Sequence, residues 1–393
     1  MTDSKHIVFL ARWYPHRYDP MLGLFIQRHA QAVALKEKVS VVYAHGTEKP
    51  LGKLYEIDVK SNDSLNEISV YYQLSTFFIR PVAKLINLLR FYISVKKGLN
   101  IAEQKNGKIS LTHVHVLTRL ALVALWLKLT KGIPYGITEH WSRYLKVRNE
   151  FHGWGRIFLT RIAVKQASFV TTVTENLASA MRSFKLHANF IILPNVVDVN
   201  MFQPIPKSKK DNFRFIHISC FEDRSKNISG ILRTIAKLKA IRTDFEFVMV
   251  GEGQDEKEMH DLAKKSGLEL PELKFTGLQQ SKELATSLAE SDALVLFSNY
   301  ENLPVVIPEA FACGLPVIST SVGGIAEIIN SENGILIEAG DESQLLNALV
   351  WMMDNHDSYN SKKIREAVVD KNSREAVSYF LSRLYEEALK KKY

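Results

Sequence analysis

Residues 293–324 read ALVLFSNYENLPVVIPEAFACGLPVISTSVGG, and the way this stretch breaks decides the fold. Ala293 to Phe297 is a short, wholly apolar run, the pattern of a strand buried on both faces and too brief for a helix. The polar break Ser298-Asn299-Tyr300 puts Glu301 just past the strand end. Pro304 and Pro308 bracket the entry to an apolar segment carrying Glu309, Phe311 and Cys313. Proline is tolerated in the first turn of a helix, so the spacing predicts a helix starting near Val305. Gly314 and Pro316 stop it, and Val317-Ile318 resumes as a second buried strand. Strand, loop, short helix and strand make the unit of a parallel sheet, whose loops at the carboxyl ends of the strands hold ligands. Glu301 falls in such a loop, and Glu309 one turn into the helix.

This arrangement suits a nucleotide diphosphate. The start of a helix leaves backbone amides unpaired and carries partial positive charge, so phosphate needs no basic side chain there. Pro304 has no N–H, which leaves Leu303, Val305 and Val306 as donors. A carboxylate accepts two hydrogen bonds side by side, matching the vicinal diol of a ribose. That role goes to Glu309, and Glu301, nearer the strand end, faces the sugar beyond the phosphates.

The string ENLPVVIPEAFACGLPVI resembles the signature of family-4 retaining glycosyltransferases: two glutamates separated by seven residues, followed by A-x-A-C-G-x-P-V-I. The glutamate spacing alone would arise by chance; the whole string is specific. Pro304 stands where the family often has glycine. The resemblance implies an α/β chain of the GT-B class, two Rossmann-like domains facing across a cleft. The donor would bind the second domain and the acceptor the first.

Length and composition agree with two domains. A chain of 393 residues exceeds what one core serves, and its 46% apolar and 24% charged residues are those of a soluble globular protein. Cys220 and Cys313 are the two cysteines, without a C-x-x-C pair, so a reduced compartment and no structural metal are expected. The start, MTDSKHIVFLARW, passes directly into a strand-like run, and no apolar segment approaches the ~20 residues that span a bilayer. These features predict a cytoplasmic protein or one on the cytoplasmic membrane face. Charge is uneven: residues 1–200 hold 27 Lys and Arg against 13 Asp and Glu, the remainder 24 against 29. A basic first half calls for an anionic partner, either a membrane surface, a nucleic acid or a phosphorylated acceptor. No recognition motif accompanies the charge, which disfavours nucleic acid.

Along the chain, His6 to Leu10 reads as the first strand, followed by a loop from Ala11 to Gly23 and a helix through Phe25, His29 and Val33. The resemblance places Gly23 at the glycine of this first loop; a helix-start glycine in a surface loop is the alternative. Val39 to Ala44 and Ile68 to Leu74 read as strands, with 51–66 between them as a loop. On a helical wheel, Phe77 to Leu99 gathers Val82, Leu85, Ile86, Leu89, Tyr92 and Ile93 on one face, expected to pack on the sheet. Arg80, Lys84 and Asn87 lie opposite with Phe91 among them, which is either a membrane-surface face or an ordinary solvated one. His113 and His115 share one side of the strand Leu111 to Val116, and no third metal ligand is apparent.

The strand Pro134 to Thr138 ends in Glu139-His140-Trp141. A strand-end histidine of this fold hydrogen-bonds a sugar hydroxyl or a phosphate, and the resemblance puts a functional histidine at His140. Pro194-Asn195-Val196-Val197-Asp198, with Phe202, resembles the family's P-N-G-V-D-x-x-x-F marker at the domain junction. There Asn195 and Asp198 form turns, and 204–211 (PIPKSKKD) reads as the boundary. The predicted domains are 1–200 and 201–372, with helix 373–393 returning to the first and adding Lys390-Lys391-Lys392 to its basic side.

The second domain opens with FRFIHIS (213–219) and the loop CFEDRSKN (220–227), where the family has G-R-L-x-x-x-K for the diphosphate. Lys226 matches the lysine. The arginine is unmatched, and Arg224 could substitute for it only from a different place in the loop. Gly251, in Gly251-Glu252-Gly253, and Leu278 resemble the family's lining of the base pocket, and Ser321 to Gly324 is expected to be a structural turn leading a helix with Glu327. The implied catalytic set is Glu301, His140 and Lys226. The implied donor-binding set is Glu309, Arg224, Asn302, Leu303, Val305, Val306, Gly251, Leu278 and Gly23. No metal or cofactor is expected, the nucleotide sugar being a substrate and the acceptor a glycan or a lipid-linked sugar, with a possible peripheral contact to an anionic membrane. A nucleotide-sugar epimerase or a silent binding subunit would carry the same nucleotide site. A dehydrogenase is the least favoured reading, since no G-x-G-x-x-G follows the first strand.

Overall fold

The computed structural model describes residues 4–390 apart from 118, 146, 147, 149 and 207–211. Two compact units emerge: Met1–Val173, Ala178–Val196 and Arg374–Tyr393 form one, and Thr174–Leu177 with Val197–Ser373 form the other. Most of the predicted boundary, 207–211, lies outside the described residues, as do Lys391 and Lys392.

Unit 1 is built on an eight-stranded sheet in the order β3-β4-β2-β1-β5-β6-β7-β8. Its strands are β1 (His6–Ala11), β2 (Lys38–Thr47), β3 (Tyr55–Ser61), β4 (Leu65–Gln73), β5 (Leu111–His115), β6 (Tyr135–Glu139), β7 (Phe169–Thr172) and β8 (Phe190–Ile192). All pairs are parallel except β3–β4. The helices are α1 (Leu24–Val33), α2 (Arg80–Asn106), α3 (Arg119–Lys131), α4 (Trp154–Gln166) and α5 (Glu175–Ser183), the first three residues of α5 clustering with unit 2 together with Thr174. β1, β5 and β6 are buried at every position; β1 reads as an apolar run, whereas β5 (LTHVH) and β6 (YGITE) bury polar residues as well.

The expected loop at 51–66 contains β3 instead, a correction with a simple cause. β3 is an edge strand (YEIDVKS) with no fully buried position, Ile57 and Val59 being exposed and Glu56 and Asp58 paired with Arg17, so no buried face marks it in the sequence. A larger correction concerns α2. The face expected to pack on the sheet is turned outward, with Leu85 57% and Leu89 55% exposed, Val82 and Ile93 exposed beside them, and Ile86 and Tyr92 half-buried. Phe91, expected on the solvent side, is 6% exposed and leads a buried stripe of Ser94, Val95, Gly98, Leu99 and Ala102. The second half of the helix sets its rotation. A Cβ on Gly98 would stand 2.5 Å from Val42 Cγ1, so the glycine lets α2 settle directly on β2.

Unit 2 carries a six-stranded sheet, β11-β10-β9-β12-β13-β14, parallel throughout. Its strands are β9 (Phe213–Ile218), β10 (Phe245–Val250), β11 (Leu273–Gly277), β12 (Ala293–Leu296), β13 (Val317–Thr320) and β14 (Gly334–Ile337). Between them run α6 (Asp223–Lys226), α7 (Ile228–Lys239), α8 (Glu256–Lys265), α9 (Ser281–Ala289), α10 (Val306–Ala312), α11 (Glu342–Asn355) and α12 (Ser361–Asn372). The helix expected with Glu327 is a single 3-10 turn, Ile325–Glu327. Asp198 Oδ1 accepts from the amides of Asn200 and Met201 at 3.2 Å, the turn its residue type predicts.

The last helix, α13 (Arg374–Lys390), belongs to unit 1 and lies along α1. Val377, Leu381, Leu384, Tyr385 and Ala388 join the core of β1, β2 and α1. No helix among the described residues is long and apolar enough to cross a membrane.

Candidate active site

In unit 2 the chain leaves β9 for β10 and β11 on one side, then returns to β12 on the other, so the order of strands reverses between β9 and β12. Ligands of open parallel sheets bind at this reversal, beyond the carboxyl ends of the strands. The loops after β9 and β12 meet there.

The β9 loop is held against the β10 loop by backbone. Phe221 N donates to Glu252 O at 2.9 Å, and Asp255 N to Phe221 O at 3.0 Å. A Cβ on Gly251 would lie 1.9 Å from Ser219 O, and one on Gly253 2.6 Å from Phe221 N, so both positions require glycine. Asp223 then fixes α6: its carboxylate accepts from Ser229 N and Ser229 Oγ, each at 2.7 Å. Asn227, at φ 50°, turns the chain from α6 into α7. From this support Lys226 Nζ donates to Glu301 Oε1 at 2.5 Å, and Ser298 Oγ donates to the same oxygen at 2.9 Å. The loops are also joined main chain to main chain, Asn299 N to Ser225 O at 2.8 Å, with Asn299 Nδ2 on Arg224 O at 3.0 Å.

Lys226 and Glu301 are largely buried, their side chains 19% and 12% exposed. Burial by itself would lower the Lys226 ammonium. The charge and hydrogen bond of Glu301, with Cys220 and Glu222 behind, outweigh it and hold the pKa above the ordinary lysine value. A lysine kept fully charged in a partly dry site is suited to meeting developing negative charge.

The far side of the Glu301 loop rests on Gly323 and Gly324. Gly324 N donates to Asn302 O at 2.8 Å. Gly323 has φ 60°, and a Cβ there would lie 2.1 Å from Glu301 O. The turn expected at 321–324 is therefore structural, and it shapes the site directly.

α10 begins at Val306 with Val305 as its cap, one residue from the predicted start. The amides of Val305 and Val306 donate to no described partner, as the first turn of a helix leaves them. Glu309 is buried on α10. Gly251 and Leu278 close the β10 and β11 ends of the same row, with Leu278 exposed after the left-handed Gly277. Arg224 contributes its carbonyl to the site, and its side chain is exposed.

Sequence reasoning missed Ser298, Asn299, Gly323 and His217. His217 is buried on β9 between Val295 O (2.8 Å) and Ser219 Oγ (2.7 Å), and its pKa is lowered by burial, with Lys226 adding to the effect, to about 4. Ser298 and Asn299, in the polar break after an apolar strand, and Gly323, in the turn at 321–324, carried a local signal in the sequence, but none for contact with Glu301.

Gly23 and His140 belong to unit 1. Gly23, at φ 71°, caps α1, and a Cβ there would lie 2.5 Å from Trp13 C. His140 is buried beside His115, Nε2 to Nδ1 3.3 Å, with the Phe25 ring 4.6 Å away. Burial, then His29 and His113, push its pKa well below the ordinary value, so it is neutral near pH 7. His113 is hydrogen-bonded between Tyr385 OH (2.8 Å) and Thr138 Oγ1 (2.7 Å), a packing role. Glu139 accepts from the amides of Leu117, His140 and Trp141 at 2.8–2.9 Å.

Comparison with known families covers residues 38–375, most of both sheets. The family described as Glycosyl transferases group 1 matches residues 200–375, and Glycosyltransferase Family 4 matches 38–201. This chain is a group 1, family 4-type glycosyltransferase. Among curated relatives, N-acetyl-alpha-D-glucosaminyl L-malate synthase of Bacillus anthracis is 26% identical over 244 residues, covering 59% of this chain and 63% of that protein. The probable sucrose-phosphate synthase of Thermosipho melanesiensis is 26% identical over 72% of this chain and 69% of its own. Among solved structures, sucrose-phosphate synthase from Thermosynechococcus elongatus superposes with a TM-score of 0.76 at 18% identity, over 98% of this chain and 100% of the other. Anabaena Alr3699/HepE, solved with UDP-glucose, gives 0.69 at 16% over 97% and 99%. This glycosyltransferase therefore has the GT-B fold, with the Lys226–Glu301 pair at the strand reversal of its second sheet.

Proposed function

We propose that this glycosyltransferase moves a sugar from a nucleotide-diphosphate donor to a glycan or lipid-linked acceptor with retention at the anomeric carbon, in the building of a surface polysaccharide. The observation that carries the reading is the Lys226–Glu301 pair at the end of β9 and β12, beside the open amides of Val305 and Val306. Lys226 and those amides meet the diphosphate as its charge grows on leaving, which asks for no metal. Glu301 steadies the donor sugar, Asn302 and Leu303 line the same loop, and Glu309 takes the ribose diol. Arg224 reaches the phosphates from the rim, and Gly251 and Leu278 border the base. In unit 1, neutral His140 accepts from or donates to a sugar hydroxyl or phosphate, and Gly23 shapes the first loop. Alr3699/HepE, a structural neighbour, binds UDP and UDP-glucose, which supports a nucleotide donor.

The outward face of α2 supports work at a membrane surface. Phe78, Val82, Leu85, Leu89 and Ile93 form an exposed apolar stripe, with Arg80, Lys84 and Lys96 exposed along it. No acidic residue occurs between Glu67 and Glu103. An apolar stripe bordered only by cations fits an anionic bilayer.

The test is a thermal-shift panel of UDP-, GDP- and ADP-sugars, followed by NMR of the product formed with the stabilising donor. One donor should raise Tm and yield an anomeric configuration matching its own. An inverted product, or an epimerised nucleotide sugar made without acceptor, refutes the assignment.

A further inference from the structure

Unit 1 has its own strand reversal, between β1 and β5, since β2 lies on one side of β1 and β5 on the other. Beyond it opens a cavity of about 360 Å³, within the usual range for a small-ligand site. Its walls come from the loops after β1, β5 and β6 and from α3 and α4. Four arginines line it, Arg12, Arg119, Arg143 and Arg156, and no acidic residue is among its described lining.

We propose that this pocket binds a phosphoryl group carried by the acceptor. The inference rests on the transferase reading and names the chemistry of the molecule that receives the sugar.

Arg143 is the built part of the site. It is 7% exposed, and its guanidinium lies 4.6 Å from the Trp141 ring. Nη2 donates to Leu117 O and, at 2.9 Å, to Tyr144 OH, while Nε is buried with no partner. A buried N–H is seldom left unmade in a folded protein, because the lost hydration is uncompensated. Arg143 brings this unmet donor to the wall of the pocket.

The charges around it point the same way. Arg12 follows β1 with its side chain in a concavity that water enters. Its pKa is held below the usual value first by the crowding of protein around it and then by Arg119, with Arg143 adding a smaller effect. Arg119 stands at the start of α3 and Arg156 on α4, both exposed, the latter donating to Glu150 O at 3.1 Å. Glu139 faces Arg143 and already accepts from the amides of Leu117, His140 and Trp141; burial raises its pKa, against Arg143. Glu150 is paired with Arg148 at 2.6 Å. Four guanidiniums and no carboxylate among the described lining residues leave a demand for more than one negative charge. A phosphoryl group or pyrophosphate meets it, with paired oxygens that fit the planar arginine fork.

The experiment titrates pyrophosphate by calorimetry into the wild type, R119Q/R156Q and K226Q. Both arginines are exposed, so the double variant should keep the wild-type Tm, which is checked alongside. The wild type should show two binding events. R119Q/R156Q should weaken one at least tenfold and keep the other, and K226Q should do the reverse. Unchanged pyrophosphate binding in R119Q/R156Q overturns the proposal. Unchanged binding in K226Q, with the arginine effect present, leaves the pocket standing and removes the donor-site reading instead. A dicarboxylate such as L-malate binding as tightly as pyrophosphate overturns the phosphoryl assignment. Acceptor assays then separate the sources: a soluble sugar phosphate against a polyprenyl pyrophosphate-linked sugar in phosphatidylcholine vesicles. A loss of turnover in R119Q/R156Q with either one supports the site. Equal turnover by the wild type and R119Q/R156Q, with both acceptors, contradicts it.

Discussion

Replacing Gly323 by alanine should disable the site through a single methyl group. The added Cβ would lie 2.1 Å from Glu301 O and 2.8 Å from Glu301 C, where ordinary contact begins at 3.4 Å. The Glu301 carbonyl would have to retreat by about 1.3 Å, and it is backbone, so no side chain can swing aside. The loop is tied by Gly324 N to Asn302 O at 2.8 Å and by Thr320 Oγ1 to Ser298 O at 2.7 Å, so a retreat drags Glu301 away from Lys226 or breaks those bonds. A misplacement of ~1 Å in a catalytic geometry costs about 100-fold in rate, or ~2.7 kcal/mol. Alanine at φ 60° adds ~1–2 kcal/mol of backbone cost, worth a few degrees in Tm. Gly340 is the matched control, with φ 79° and nothing within 4 Å of its Cβ. Gly340→Ala should lose a similar few degrees and keep its turnover. Steady-state kinetics on both variants decides the matter: a kcat/KM for Gly323→Ala within threefold of that for Gly340→Ala would refute the argument.

Three further outcomes are expected. Lys226→Met leaves Glu301 without its cation, and loss of one partner of a buried pair costs ~3–5 kcal/mol at full burial and less at this partial exposure; donor affinity measured by calorimetry should fall at least tenfold, and Glu301→Gln added to it should restore part of the stability. His113 and His217 titrate at about 3 and about 4 in the fold against 6.5 in the open chain, both lowered mainly by burial. The unfolded chain therefore binds more protons below pH ~6.5, and stability drops as pH falls toward 3–4, by ~2 kcal/mol per histidine at pH 5; urea denaturation from pH 7.5 to 5 that gave a flat profile would contradict this. Leu85→Ser with Leu89→Ser should weaken cosedimentation with phosphatidylcholine–phosphatidylglycerol vesicles at least tenfold, each side chain contributing ~1.5–3 kcal/mol when fully buried. Unaltered sedimentation, or a wild-type dimer that the two serines dissolve, would assign the face to something other than lipid.

The parallel strands and the Glu301 loop were legible because their signals are local. Ala293 to Phe297 is apolar at every position since both faces of β12 are covered, and Pro304, Pro308, Gly314 and Pro316 mark the ends of α10 by what their backbones forbid. The edge strand β3 was hidden for the opposite reason, having no buried face to leave a pattern. Gly323 was read as a turn and is one, but its pressure on Glu301 joins residues 22 positions apart, and nothing between them records the contact.

α2 shows where local reading stops. Its sequence displays two candidate apolar stripes, and hydrophobic periodicity says only that each avoids water, without saying whether protein or lipid covers it. The choice was made by fit: the stripe with Gly98 and Ala102 can approach β2 closely, and the bulkier stripe of Leu85 and Leu89 is left outside. The arginine pocket has the same origin. Arg12, Arg119, Arg143 and Arg156 are scattered charges along the chain, and the order β2-β1-β5-β6 is what gathers them at one end of the sheet. Element type and the donor loop follow from backbone preferences that act over a few residues. Which helix face is covered, and which distant charges become neighbours, depends on packing between segments far apart in the chain.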